Sequence, residues 1–437
     1  MLAAALVFTS CDGFKSFIDN PVSSYLEVNP ESVTLKVGEE KALEVTTISD
    51  QPISYTSSNK DVATVDEKGV ITAVSEGDAI ITVSVASTDT YAAGMKQVQV
   101  KVVPAPIHTI PLTIEAKAEN GATVKLRKSN ASLELKTIKY KKSTDTSWSD
   151  YAFDGLNGAE ISLNKGESVS FWSNNAALGQ KSGNSTRYSY FVFSDDSGEC
   201  YVYGNVMSMI DDQEGATAEN PKFSTDEEIG ASYAFYNLFR NCKKILNHES
   251  KELVLPAKKL ASYCYYGMFN NCSSLTKAPE LKAEKLEESC YRSMFSYCTS
   301  LTKAPDLKAK ELKDYCYASM FNGCEMLTEA PEIAAETVAR KCCQNMFLGC
   351  SSLTEGPVLK AKKLEDACYN AMFMWCYKLG SLTCLATDIS ADGCVDAWLL
   401  SAGSQVAGDK ILYVDPSMTN EPGWNLGGGW TVESANK

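Results

Sequence analysis

The sequence predicts a multidomain chain in three parts: a β-sandwich, a second β-rich domain, and an α/β solenoid that the second domain caps. Three observations carry this prediction. Met-Phe pairs recur at Met268/Phe269, Met294/Phe295, Met320/Phe321, Met346/Phe347 and Met372/Phe373, a constant 26 residues apart. A fixed period of that size marks a stack of repeats, each burying its apolar face on its neighbours. Upstream, residues 25–103 and 107–229 break into short alternating runs separated by turn signals, the pattern of β-domains.

Taken in order, residues 1–11 form a short apolar run that ends in small residues and a cysteine, Phe8-Thr9-Ser10-Cys11. The run resembles the end of a bacterial lipoprotein signal peptide, although no Lys or Arg precedes Cys11. The resemblance implies lipidation at Cys11, with residues 12–24 as a tether.

Residues 25–103 read as strands at Val33–Val37, Val62–Val65, Val70–Val74, Ala79–Val85 and Val98–Val102, with turns at Gly38-Glu39, Asp66–Gly69 and Glu76-Gly77. Seven or so such strands suit a sandwich. The series Thr34-Leu-Lys-Val-Gly38, Tyr55-Thr-Ser-Ser-Asn59, Val62-Ala-Thr-Val-Asp66 and Gly77-Asp-Ala-Ile-Ile-Thr-Val83 resembles the bacterial immunoglobulin-like group 2 domain. That resemblance implies a non-catalytic spacer or adhesion module. The Ser-Ser-Asn stretch is read as a turn into a strand, since this segment holds no histidine to activate a nucleophile. Pro104-Ala-Pro106 is a stiff linker.

Residues 107–229 carry alternating runs at Leu112–Ala116, Val124–Leu126, Ile138–Tyr140, Ile161–Leu163, Val169–Trp172, Tyr190–Phe193 and Tyr201–Tyr203, with turns at Asn157-Gly158 and Asp195–Gly198. A solenoid exposes an apolar rung at its end, and this domain is placed to cover it. Trp148, Tyr151, Trp172 and Tyr188 invite a carbohydrate-stacking role, but strand core is the preferred reading because aromatics favour strands. The acidic run from Asp211 to Glu228 is read as a loop. Its carboxylates lack the alternating ligand spacing of a calcium loop.

The solenoid is placed at residues 230–402. In one unit Leu286, Cys290, Met294 and Cys298 lie four apart, the spacing of one helix face. Leu301-Thr-Lys-Ala304 then reads as a short strand stopped by Pro305. Each coil is thus predicted as helix, turn, short strand and return. Leu238/Phe239 opens the array with a four-residue insertion near Asn247–Ser250, and Cys394, Trp398 and Leu399 close it in register. Residues 403–437, with Trp424 and Trp430, are read as a C-terminal cap. The unit Cys290-Tyr-Arg-Ser-Met-Phe-Ser-Tyr-Cys-Thr-Ser-Leu-Thr-Lys-Ala-Pro-Asp-Leu307 resembles the BspA-like leucine-rich repeat. That resemblance implies a surface protein of a Gram-negative bacterium that binds an extracellular protein or glycan. Together with Cys11 it implies an outer-membrane lipoprotein whose only membrane attachment is its anchor. It brings no catalytic residues.

Most of the 16 cysteines follow the period. Spacing of eight within a unit does not make the close pairs of a zinc site. Equivalent cysteines in a parallel stack point the same way, which opposes the disulfide torsion. Packing is the preferred reading, because free Cys behaves as a small buried hydrophobe. Function classes narrow further. A net charge of −14 argues against nucleic acid. The only histidines are His108 and His248, and there is no nucleophile–base order, zinc-protease motif or phosphate loop. The chain is therefore read as a non-enzyme with no catalytic, cofactor or metal residues, Cys11 being its one named site. Adhesion or binding leads. The alternative is a structural or capture component of an envelope nutrient-uptake system. The columns Lys277, Lys303, Glu329, Glu355 and Glu280, Asp306, Glu332, Val358 change sign along the stack, so no single-sign groove is expected.

Overall fold

The computed structural model describes residues 21–435 apart from 38, 76, 104–108 and 224–226, so Cys11, His108 and residues 12–20 of the expected tether lie outside the described residues. The last residues of that tether belong to the first unit, with Val22 bridged to Tyr91 and Ser24 buried. The chain divides into two units, 1–106 and 107–437.

The first unit is a β-sandwich. Its strands are β1 (Glu27–Asn29), β2 (Ser32–Lys36), β3 (Glu40–Ala42), β4 (Glu44–Thr46), β5 (Ser54–Ser57), β6 (Ala63–Val65), β7 (Val70–Ala73), β8 (Gly77–Val85) and β9 (Gly94–Val103). One sheet runs β2-β9-β8-β5 and another β3-β7-β6, while β1 pairs with β4. The β2–β9 pair is parallel and the other pairs are antiparallel. Period-two alternation builds the core. Ala79, Ile81, Val83 and Val85 of β8 and Val98, Val100 and Val102 of β9 are buried against Ile71 and Ala73 of β7. The Asp66–Gly69 turn is held by Asp66 Oδ1, which accepts from Lys68 N and Val70 N. Gly69 takes φ +78° there, and a Cβ on it would meet the Tyr55 ring at 2.9 Å.

The second unit starts as a two-sheet sandwich. Its strands are β10 (Leu112–Ala116), β11 (Ala122–Lys128), β12 (Ile138–Lys142), β13 (Ser149–Asp150), β14 (Phe153–Asp154), β15 (Asn157–Gly158), β16 (Ile161–Leu163), β17 (Ser168–Ser173), β18 (Gly179–Ser182), β19 (Ser185–Phe193) and β20 (Cys200–Asn205). Asn157-Gly158, read as a turn, is instead a strand fragment that pairs with β14 and β11. One sheet runs β13-β12-β17-β10-β20 and the other β14-β15-β11-β19-β18. Phe171 of the first meets Phe191 of the second at 5.0 Å, edge to face.

From residue 230 the chain winds into parallel coils. The first lays β21 (Ile245–Asn247) and β22 (Leu253–Val254) parallel to β20, so the sandwich sheet passes directly into the stack. One apolar cluster runs without a break from Leu112 to Trp430. The sandwich and the coils therefore share a core. Phenylalanines mark the junction: Phe191 stacks on Phe239 at 5.0 Å, and the column continues through Phe269, Phe295, Phe321, Phe347 and Phe373 in steps of 5.5 to 5.8 Å.

The expected helices are replaced by turns, so the α/β description of the coils is corrected: among the described residues there is no α-helix. Every fourth residue takes positive φ, as at Ser289, Ser293 and Tyr297 or Tyr315, Ser319 and Gly323. The hydrogen bonds alternate with it. Cys290, Arg292, Met294, Ser296 and Cys298 donate N–H groups three residues back within their own turn. Ser289, Tyr291, Ser293, Phe295 and Tyr297 donate to Asp314, Cys316, Ala318, Met320 and Asn322 of the next coil. An α-helix keeps all such bonds to itself. This arrangement spends half of them on the neighbouring coil and closes the stack as a sheet does. On the opposite side Lys277, Lys303, Glu329 and Glu355 form a column of single parallel bridges. Pro279, Pro305 and Pro331 follow these bridges and lack the N–H that would lengthen them.

The stack also runs past residue 402. Strands β23 (Glu355–Leu359), β24 (Ser381–Cys384), β25 (Lys410–Val414) and β26 (Trp430–Ser434) form one parallel sheet. The segment read as a cap is thus further coil. Trp424 stacks on Trp398 at 5.9 Å, and Trp398 Nε1 donates to the Trp424 carbonyl.

Holding a side chain at positive φ costs about 1–2 kcal/mol. Ser319 already carries this cost, and Ser319→Val at φ +56° is expected to add about 1 kcal/mol to it, because a β-branched residue fits this conformation worst. Ala367→Gly at φ +50° is expected to raise it by about 0.5–1 kcal/mol, the relief being partly offset by glycine entropy. Urea unfolding midpoints of the two variants, at unchanged slope, check both signs.

Candidate binding surfaces of the coil stack

The repeated residues face inward. Cys290, Met294, Phe295, Cys298 and Leu301 each expose 0% of their surface, and the equivalent positions of neighbouring coils are also buried. All fifteen described cysteines are free thiols. One cysteine column does more than fill space. Cys272, Cys298, Cys324, Cys350 and Cys376 each donate from Sγ, at 3.0–3.1 Å, to the phenylalanine carbonyl of the preceding coil. Each such carbonyl already accepts a backbone N–H within its own turn, as Phe269 O does from Cys272 N. The thiol therefore supplies a second, weak donor in a space too small for a longer side chain. At Cys343 the tyrosine column Tyr265, Tyr291, Tyr317 is interrupted, and Cys342 and Cys343 bring their sulfurs to 3.8 Å. Burial pushes the thiols up, to about 12 at Cys200, Cys298 and Cys384.

The aromatics singled out in the second domain divide. Tyr151 and Trp172 are buried. The Tyr151 hydroxyl accepts from Leu126 N at 2.8 Å and donates to Ala159 O at 2.7 Å, so it ties strands together. Trp172 Nε1 donates to Asp211 Oδ2 at 2.8 Å, and Lys222 N donates to the same oxygen. Asp211 thus pins the loop that follows it. No group of three or more His, Cys, Asp or Glu side chains is placed to hold a metal among the described residues. Trp148 packs on the core edge. Tyr188 alone joins a surface cluster, 5.2 Å from Tyr236, which stacks on Tyr266 at 4.6 Å; Arg292 in turn lies over Tyr266. These rings cover one another's faces, which leaves little flat area for a sugar. In the first unit Ser57 Oγ donates to Ala63 O and Asn59 Oδ1 accepts from Asp61 N, as turn residues do.

The first two members of each outward column, Lys277 and Lys303 with Glu280 and Asp306, line a groove. A cleft of about 460 Å³ runs beside the bridged face, walled by Lys277, Lys303, Lys308, Pro279 and Pro305 and closed at the sandwich end by His248 and Lys251. Its end wall is the four-residue insertion. His248 Nδ1 accepts from Ser250 N and Lys251 N, both at 3.1 Å, which fixes the loop. Lys251 Nζ reaches Glu115 at 2.9 Å and Tyr203 Oη at 3.2 Å, and Tyr203 Oη donates to the same carboxylate. Burial and the nearby Lys251 ammonium lower the His248 pKa. The column charges are partly matched across coils, as in Lys308–Glu280 at 2.7 Å and Lys360–Glu332 at 3.5 Å. Lys303 has no ion pair among the described residues and is the open cation of the groove. Sequence reasoning missed the Glu115–Tyr203–Lys251 network, whose members are 136 and 48 residues apart. The insertion at Asn247–Ser250 was its only signal.

Thiols raised to about 12 hold roughly a thousandfold less thiolate at neutral pH than free cysteine. The native chain is expected to resist an aromatic disulfide reagent through pH 8. Unfolding without reductant is expected to release all fifteen described thiols. A count far below fifteen would overturn the free-thiol core.

Comparison with known families gives one match. Residues 24–94 fit the bacterial Ig-like domain (group 2), which covers most of the first unit. No curated protein matches the chain. The first unit is thus similar to a bacterial Ig-like domain, on a chain whose described secondary structure is otherwise β-strands, bridges, turns and a few short 3-10 helices.

Proposed function

We propose that this chain is a non-catalytic cell-surface lipoprotein, anchored through Cys11 to the outer membrane of a Gram-negative bacterium, that binds an extracellular protein or glycan through its coil stack. Its repeats fit a BspA-like leucine-rich repeat whose helical arm is replaced by turns. The carrying observation is the division of labour within the repeat. The recurring Cys, Met and Phe positions are buried, whereas the outward positions vary along the stack: Lys277 and Lys303, which line the groove of about 460 Å³, give way to Glu329 and Glu355 in later coils. A stack with a uniform interior and a varied exterior presents an extended recognition surface. The Ig-like match at residues 24–94 supports a role as a spacer between anchor and binding surface.

The full processed chain, applied to arrays of extracellular-matrix proteins and glycans, is expected to retain at least one partner. The double variant Lys277→Glu, Lys303→Glu is expected to weaken that partner at least tenfold, because it reverses two neighbouring charges in the groove wall. Absence of binding across both arrays would sink the reading. Cys11→Ala is expected to abolish incorporation of labelled palmitate and to release the protein from the membrane fraction. Protease treatment of intact cells is expected to degrade the anchored protein.

A further inference from the structure

A second cleft, of about 400 Å³, lies where the first coil docks on β19. It is separate from the groove on the bridged face and shares no lining residue with it. Four cations line it: Arg127, Arg240, Lys243 and Lys244. Asp195 is the one carboxylate among its lining residues. In a chain of net charge −14 this is a local reversal of sign. None of the four cations has an ion pair among the described residues, whose bridges lie elsewhere on the surface.

Two details show that the cations are held rather than merely solvated. Lys244 Nζ donates to the carbonyl oxygens of Asp195 and Ser197, which fixes its charge at the cleft wall. Arg127 sits opposite Tyr190 in the β11–β19 ladder, and its Nε is buried with no hydrogen-bond partner. The Nε is closed to solvent, so an oxyanion in the cleft would meet the terminal guanidinium nitrogens, whose charge no carboxylate among the described residues pairs. Guanidinium groups are suited to this task because their fork matches the two oxygens of a carboxylate or sulfate. Beside them lies the Tyr190 ring, whose one ring neighbour among the described residues, Tyr188, is tilted by 49° at 5.6 Å. Unlike the rings of the coil columns, it is not sandwiched between parallel neighbours. The cleft therefore pairs an anion clamp with an aromatic side, and its volume suits one or two sugar rings.

We propose that this cleft binds an anionic saccharide, a sugar ring bearing a carboxylate or sulfate, with Arg127 and Arg240 holding the acid group and Tyr190 contacting the ring. The inference names one ligand class for a site that the proposed adhesion does not use, so either can fail alone.

The test is titration of the full chain with glucuronic acid, glucose 6-sulfate, glucose and sodium sulfate, followed by isothermal titration calorimetry. The two acidic sugars are expected to bind at least tenfold tighter than glucose and than sodium sulfate, and to weaken as salt rises. Arg240→Gln, at an exposed position, and Arg127→Gln are each expected to reduce acidic-sugar binding at least tenfold. Lys41→Gln, in the first unit, is expected to leave it unchanged. Equal binding of sodium sulfate would overturn the saccharide assignment. Absence of binding by both acidic sugars, or binding indifferent to Arg240→Gln, would overturn the site. Absence of any array binding that Lys277→Glu, Lys303→Glu weakens, with these results intact, would overturn only the adhesion reading.

Discussion

The second unit depends on one constraint: in the turn arm of each coil, N–H groups alternate between their own turn and the next coil. The alternation requires positive φ at every fourth residue, and the chain accepts it at Tyr, Ser, Asn, Lys and Ala as well as Gly. Each such residue is individually strained. The strain persists because misplacing one turn would orphan donors on two coils at once, and an unpaired buried N–H is costly. The same constraint fixes the 26-residue register. A carbonyl must wait at a set height for the donor of the coil before it, so the columns of Phe, Met and Cys follow from the backbone.

Much of this was legible in the sequence. The period, the buried columns, the insertion at Asn247–Ser250 and most strands of both sandwiches could be read from spacing and alternation. The helices could not, and the reason is arithmetic. Leu286, Cys290, Met294 and Cys298 lie four apart without drift, whereas a helix of 3.6 residues per turn needs a mixture of threes and fours to keep one face. Strict fours signal a chain of four-residue turns. Ser289, Ser293 and Tyr297 reinforced that signal, because they recur at the same interval in positions that call for positive φ. The coil that continues past residue 402 was hidden because Trp398 and Trp424 replace the Met of earlier units and the Gly-rich segment broke the visible pattern.

The candidate sites were less legible, since both arise where distant segments meet. The Glu115–Lys251 contact and the Arg127–Arg240 cleft each join the sandwich to the first coil. Neither pairing has a spacing that a motif search would find. The exterior columns were visible, but their ion pairs were not, because Lys308–Glu280 and Lys360–Glu332 cross between coils 28 residues apart in the chain. Exposed pairs of this kind add little stability. They matter more as a pattern of matched and unmatched charge, in which Lys303 stands out.

The phenylalanine column that begins at Phe191 has a consequence for how such a protein can change in length. From Phe239 to Phe373 each coil offers its successor the same ring, the same carbonyls and the same thiol site. Removing or adding one whole unit would bring together faces that already match, whereas a single-residue insertion would shift every later donor away from its acceptor. The stack is therefore adjustable in discrete steps of one coil, with the sandwich fixing where the count begins. Length in this architecture is a digital quantity, set by the number of copies and indifferent to which of the inner copies is lost.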